Sequence, residues 1–203
     1  MYVDSHCHLD RVDLAPYDQD FSRFVETTRA AGISHMLCVC IDLEHYQDMA
    51  RLVSPFDDIS ISVGVHPDEK DRRTPDVEEL TELGRSNRVV AIGETGLDYF
   101  RETGDLEWQR ERFRIHIRAA KAVSKPLIIH SRAAREDTTR ILREEGADAM
   151  RGVMHCFTET WEMASAAMDL GFLISFSGII TFRNAAELRD VASRVPLDKM
   201  LIE

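Results

Sequence analysis

The sequence predicts an α/β protein of the TIM-like (β/α)8 barrel class, on three observations. Eight short apolar runs alternate with amphipathic segments of helical period across residues 1–203. The ends of those runs, at positions 8, 40, 66, 94, 130, 155, 177 and 203, lie 22 to 36 residues apart, the length of a strand plus its crossover helix. Several runs end in histidine or glutamate, as a parallel barrel requires if its chemistry gathers at the carboxyl ends of the strands. A flavodoxin-like open sheet is the rival, with fewer strands and its ligands at one switch point.

Taken in order, Tyr2–His8 reads as a strand, and Gln19–Ala31 carries Phe21, Phe24, Val25 and Thr28 at helical spacing before Gly32 stops it. His35–Cys40 is the second strand, a helix covers Leu43–Val53, and Ile59–Val65 is the third strand, running into His66 and Pro67. Residues 75–85 are helical, with Pro75 in the first turn. Val89–Gly93 is strand four, ended by Glu94. Asp105–Val123 is a long amphipathic helix that puts Phe113, Ile117 and Ala120 on its buried face with His116 beside them, while Arg110-Glu111-Arg112 reads as a solvated face. Leu127–Ile129 ends in His130 and is followed by a helix over Ala133–Glu144; Gly152–Met154 ends in His155. A helix over Glu162–Leu170 stops at Gly171, Phe172–Ser175 is strand seven, Ala185–Ser193 is helical, and Lys199–Ile202 is strand eight. No linker or low-complexity stretch divides the chain, so residues 1–203 are expected to form one domain. A closed barrel needs a helix over strands eight and one, and none follows strand eight, so the chain is expected to be a piece of a longer protein, truncated after that strand.

Composition narrows the function. Hydrophobic content of 44% and charged content of 30% fit a soluble globular protein, with no stretch long and apolar enough to span a membrane and no secretory signal at the N-terminus. Cys7, Cys38, Cys40 and Cys156 sit inside apolar runs, as buried reduced thiols of a cytoplasmic protein would. Cys38-Val39-Cys40 has no partner pair and reads as packing. A net charge of −11 argues against tight sequence-independent binding of duplex DNA, yet bound cations would invert the sign locally, so phosphate chemistry stays open. A monomer is expected.

The chemistry lies in His6, His8, Glu94, His130 and His155. Residues two apart on a strand share a face, so His6 and His8 point together and Cys7 points away. Neutral imidazoles bind zinc, manganese, cobalt or nickel, and a carboxylate can bridge two ions. Four histidines and one glutamate exceed the needs of one catalytic ion. Two divalent ions (Mg, Mn or Zn) sharing Glu94 use them better, His6 and His8 on one and His130 and His155 on the other. Such a pair activates a bridging water for hydrolysis, without choosing between a phosphoester, an ester and an amide. His66 is either a contact for a substrate phosphate or a brace for its loop; Arg132 meets substrate phosphate or forms a salt bridge; Glu203 orients water or substrate, or frays at the terminus.

Asp4-Ser5-His6-Cys7-His8-Leu9-Asp10, Ile92-Gly93-Glu94-Thr95-Gly96-Leu97-Asp98-Tyr99, Lys125-Pro126-Leu127-Ile128-Ile129-His130-Ser131-Arg132 and His155-Cys156-Phe157-Thr158 together closely resemble the TatD family of metal-dependent hydrolases. The resemblance runs from residue 3 to the end and is specific in combination, although His-x-His alone is not. It implies a metallo-dependent hydrolase barrel and a two-metal site, with His6 and His8 as first-metal ligands, Glu94 as the bridge, and His130 and His155 as second-metal ligands. It also implies deoxyribonuclease-type phosphodiester hydrolysis, with nucleic acid as substrate (single strands or ends, given the acidic charge); some relatives resemble deacylases of mischarged tRNA. The family's aspartate two positions beyond its strand-eight Leu-Ile-Glu lies past Glu203, so the full-length protein is the expected active enzyme and this chain an impaired one. Glu159 departs from the family's glycine, at a loop position where it could adjust substrate preference. The alternatives are an acyl-ester hydrolase, such as a D-aminoacyl-tRNA deacylase, and a metal-stabilised barrel without catalysis.

Overall fold

The computed structural model describes residues Met1–Glu203 and contains one sheet of eight parallel strands in chain order. Its first half is β1 (Tyr2–Cys7), α1 (Phe21–Ala30), β2 (Ile33–Cys38), α2 (Tyr46–Val53), β3 (Ile59–Val63), α3 (Val77–Gly84), β4 (Val89–Asp98) and α4 (Glu107–Val123). The second half is β5 (Leu127–Arg132), α5 (Arg135–Glu144), β6 (Gly152–Met154), α6 (Trp161–Asp169), β7 (Phe172–Phe176), α7 (Ala186–Arg194) and β8 (Met200–Ile202). Sequential order disposes of the doubly wound rival, in which the order must reverse at a switch point. Seven ladders join neighbours from β1–β2 to β7–β8, and none joins β8 to β1. The sheet nevertheless curls until its two edges meet at the C-terminal rim, where Glu203, just past β8, hydrogen-bonds His155, whose ring stacks on that of His6 on β1.

Two apolar layers hold this shape. The larger cluster packs the outer face of the sheet against the helices and includes Phe113, Ile117 and Ala120 of α4, the face expected from their spacing. A small inner cluster of Val39, Ala91 and Ile128 has Leu37 and Val153 against it, and Leu37, Ala91, Ile128 and Val153 also line a cavity of about 550 Å³. Aspartate caps start two of the helices: Asp20 accepts the amides of Ser22 and Arg23 before α1, and Asp76 accepts that of Glu79 in α3. All four cysteines are unpaired, and burial pushes the Cys38 and Cys40 thiols up to about 11 and about 12, so the packing reading of this pair holds.

Two expectations need correction. Strands β4 and β5 do not end at Glu94 and His130 but run to Asp98 and Arg132, because Thr95 to Asp98 of one pair with Ile129 to Arg132 of the other. The Arg110-Glu111-Arg112 run is not a wholly solvated face: Arg112 is 2% exposed. Its guanidinium donates to the carbonyls of Glu69 (2.8 Å) and Arg72 (2.8 Å) and to Thr74 Oγ1 (3.2 Å), so acceptors on the β3–α3 loop offset its desolvation.

Candidate metal centre

Register shifts aim the predicted ligands. The β1–β2 ladder slips between Asp4 and Cys7, and the β4–β5 ladder between Ile92 and Thr95. Such irregularities re-aim side chains beside functional sites, and these two flank His6 and Glu94. The structure gathers the other four predicted ligands, and His66 with them, around the carboxylate of Glu94, which is 2% exposed. Its two oxygens face different partners. Oε2 lies 3.3 Å from His6 Nε2 and 4.0 Å from His8 Nε2. Oε1 lies 3.3 Å from His66 Nε2, 3.5 Å from His130 Nδ1 and 3.8 Å from His155 Nε2.

The ring tautomers follow from what each other nitrogen meets. His8 Nδ1–H donates to the Val39 carbonyl (3.0 Å) and His155 Nδ1–H to Glu203 Oε2 (2.7 Å), so each ring's Nε2 lone pair is left facing Glu94. His130 Nε2–H donates to Asp98 Oδ2 (3.0 Å), which leaves its Nδ1 on the Glu94 side. His66 is the reverse: its Nδ1 accepts the amide of Asp68 (3.1 Å), so in the neutral ring the proton is on Nε2, pointing at Glu94. His66 therefore braces its loop and also offers an N–H to the cleft.

These residues fit divalent ions on grounds internal to the structure. Both ring nitrogens of His6 are buried and neither is hydrogen-bonded; its Nε2 approaches Glu94 without hydrogen-bond alignment, and Glu203 Oε1 is likewise buried and unpartnered. Unsatisfied polar atoms at this density, converging on an acidic group, are the donor set a cation uses. Burial lowers the His6 pKa and keeps that ring neutral, the form a metal binds. Burial opposes ionisation of Glu94, but His130, His6 and His66 outweigh it and hold the carboxyl well below its usual range. For His130 burial lowers the pKa, and Asp98 and Glu94 overcome it to raise the group to about 9, so a cation must displace a proton there.

Asp98 was missed by sequence reading. Residues 94, 96 and 98 share a face if β4 continues, so strand parity could have shown it, but the apolar run stops at Gly93. Its carboxylate is fully buried; burial opposes ionisation, but His130 and the amides of Arg101 and Phe100 hold it well below its usual range. Behind the site, α4 presents a buried polar stripe. Gln109 accepts the Asp98 amide (2.9 Å), Arg112 holds the β3–α3 loop, and His116 Nε2 accepts the Val65 amide (3.0 Å) next to His66.

His116 carries a pH prediction. Burial pushes it down to about 4 from an ordinary 6.5, so it is neutral in the fold and protonated in the unfolded chain between those values. The unfolded state binds more protons there, so stability falls as pH drops from 6.5 towards 4, by roughly 3 kcal/mol at the low end. Urea midpoints for wild type and His116→Gln across that window check it: the variant is expected to be less stable near neutrality but to lose less on acidification. Parallel pH curves would remove His116 as the cause.

The remaining candidates resolve unevenly. Glu203 is not frayed: its side chain is mostly buried and holds His155. Arg132 forms no salt bridge; its guanidinium lies 4.0 Å over the ring of Phe100 and lines the cleft. Glu159 reaches the start of α5, where its carboxylate accepts the Ala134 amide (3.4 Å), tying the β6–α6 loop to the one that follows His130 and Arg132. The cleft, about 720 Å³, is lined by His8, His66, Glu94, His130, His155 and Arg132 among others.

Known proteins share this architecture. The family described as TatD related DNase matches residues 3–203. The metal-dependent hydrolase YcfH of Escherichia coli K12 is 46% identical over 202 residues, covering 99% of this chain and 76% of that protein. YabD of Bacillus subtilis, also a metal-dependent hydrolase, is 38% identical over 204 residues, covering 100% of this chain and 79% of that one. The crystal structure of the TatD homologue YjjV from E. coli superposes with a TM-score of 0.87 at 27% identity, over 100% of this chain and 78% of that one. With the match running essentially end to end, this chain belongs to the TatD family of metal-dependent hydrolases.

Proposed function

We propose that the cleft hydrolyses a nucleic-acid phosphodiester, as a deoxyribonuclease using two divalent ions of the Mg, Mn or Zn class. One observation carries this reading: a single buried carboxylate turns one oxygen to His6 and His8 and the other to His130 and His155. His6, His8 and Glu94 would hold one ion, and Glu94, His130 and His155 the other. Bound there, the ions supply positive charge to a phosphoryl group and acidify water. The chain's own residues do the rest. Val39, Asp98 and Glu203 orient the imidazoles. Arg132, unpaired, offers a fork of donors matched to phosphate, and His66 lines the same cleft with its Nε2–H turned to Glu94. The family's description as DNases supports the same substrate. No helix is long and apolar enough to cross a membrane, and four free cysteines agree with a reducing cytoplasm.

Labelled single-stranded and duplex DNA with Mg²⁺, Mn²⁺ or Zn²⁺ test the reading. Cleavage is expected with at least one ion, stronger on the single strand, and abolished by EDTA. Cleavage that survives the chelator, or hydrolysis of an aminoacyl ester with none of DNA, overturns it.

A further inference from the structure

We infer that Phe182 and the Phe100–Arg132 stack form a subsite for an unpaired nucleobase beside the scissile phosphate; this rests on the nucleic-acid reading of the cleft. Phe100 is 66% exposed and Phe182 59%, with Ile179, 36% exposed, close by in sequence. Phe182 and Ile179 line the same cleft as Glu94 and His130, so their apolar surface adjoins the chemistry. Neither phenylalanine is on a slack segment. The amides of Phe100 and Arg101 both donate to Asp98 Oδ1 at 3.0 Å, fixing that turn to the residue that holds His130. Arg189 of α7 donates to the carbonyls of Ile180 (2.9 Å) and Phe182 (2.7 Å), fixing the other. The Phe182 ring is 59% exposed and stacks on no other ring or guanidinium, which leaves it as a platform for a ligand's π-face.

Charge points the same way. Arg11 pairs with Asp10 and Asp42, and Arg101 with Asp68, whereas Arg132 has no carboxylate partner and sits 4.0 Å over the centre of the Phe100 ring. It can stack and meet a phosphate together. A chain of net charge −11 cannot rely on a broad basic surface to hold a strand, so stacking has to supply affinity. Bases in a duplex are stacked on one another and present no free face, which selects single strands and frayed ends.

The test compares a single-stranded oligonucleotide with a strand of equal length built from abasic residues. Phe182→Ala is expected to raise KM on the base-bearing strand by between about 5- and 150-fold, the range for losing one base–aromatic stack. On the abasic strand KM should not change, kcat should stay within about twofold on both, and Phe182→Trp should restore the wild-type KM. An unchanged KM, or an equal rise on both strands, overturns the subsite and leaves the nuclease reading standing. If the wild type cleaves neither strand with any ion, anisotropy of a labelled strand in EDTA decides. Weaker binding by Phe182→Ala keeps the subsite without the nuclease; binding equal to wild type, or none by either, removes it.

Discussion

Replacing Glu94 by glutamine is expected to lower hydrolysis by at least roughly 10²–10³-fold, the scale on which losing one preorganised electrostatic partner acts. The same change should abolish the thermal stabilisation that divalent ions confer on the wild type. Both effects come from one carboxylate. Its oxygens face both imidazole groups, Oε2 towards His6 and His8 and Oε1 towards His66, His130 and His155. Glutamine keeps the size and hydrogen-bonding capacity but presents one oxygen and no charge, so the two sides cannot both receive an anionic donor. The fold should survive, because glutamine is nearly the size of glutamate and keeps polar atoms to face the surrounding imidazoles, so no cavity opens and no unpaired charge is buried. An ion that binds only the native state raises Tm with its concentration, so a metal titration followed by thermal unfolding reads the site without any substrate. Wild-type Tm shifts in Glu94→Gln would show that the ions bind elsewhere and would remove the site's central residue.

The second large effect is on folding. Gly96→Ala is expected to destabilise the protein by about 3 kcal/mol or more, enough to leave much of a marginally stable domain unfolded. Gly96 has φ 134°, which a side chain rarely adopts, and a Cβ there would sit 1.9 Å from the carbonyl oxygen of His130. That neighbour is backbone in the β4–β5 ladder, where Gly96 pairs with His130, so it cannot rotate away. Relief would require separating the strands that bring Glu94 and His130 together. Gly104→Ala is the control: φ there is 94°, yet nothing lies within 4 Å of the added carbon, so only the backbone strain of about 1 kcal/mol remains. Chemical denaturation of the two variants separates clash from strain. Equal midpoints would show that the strands yield freely and would refute the account.

How much of the site was legible depends on the range of the interaction. His6 and His8 could be paired from alternation along one strand, and Glu94, His130 and His155 from apolar runs that stop at a polar residue. Asp98 lay on the face of Glu94 by the same alternation, but nothing local signalled that β4 continues; the ladder to β5 is what extends it. Arg112 looked solvated beside Arg110 and Glu111, and only the carbonyls of a loop some 40 residues away turn it inward. His66 and Arg132 each had two readings. The Asp68 amide decided the proton position on the first, and the second sits over the ring of Phe100 with no carboxylate partner.

The sequence alone determined the (β/α)8 class, the strand order's period and the residue types offered at the rim, because these rest on periodicities of two and 3.6 residues and on spacings within one βα unit. Only the tertiary structure decided which oxygen of Glu94 each imidazole faces, which nitrogen of each ring is free, and which arginine is left unpaired. Those choices are made by partners on other strands, Val39, Asp98 and Glu203 among them, which come within hydrogen-bonding distance only when the curled sheet brings its carboxyl ends to one rim.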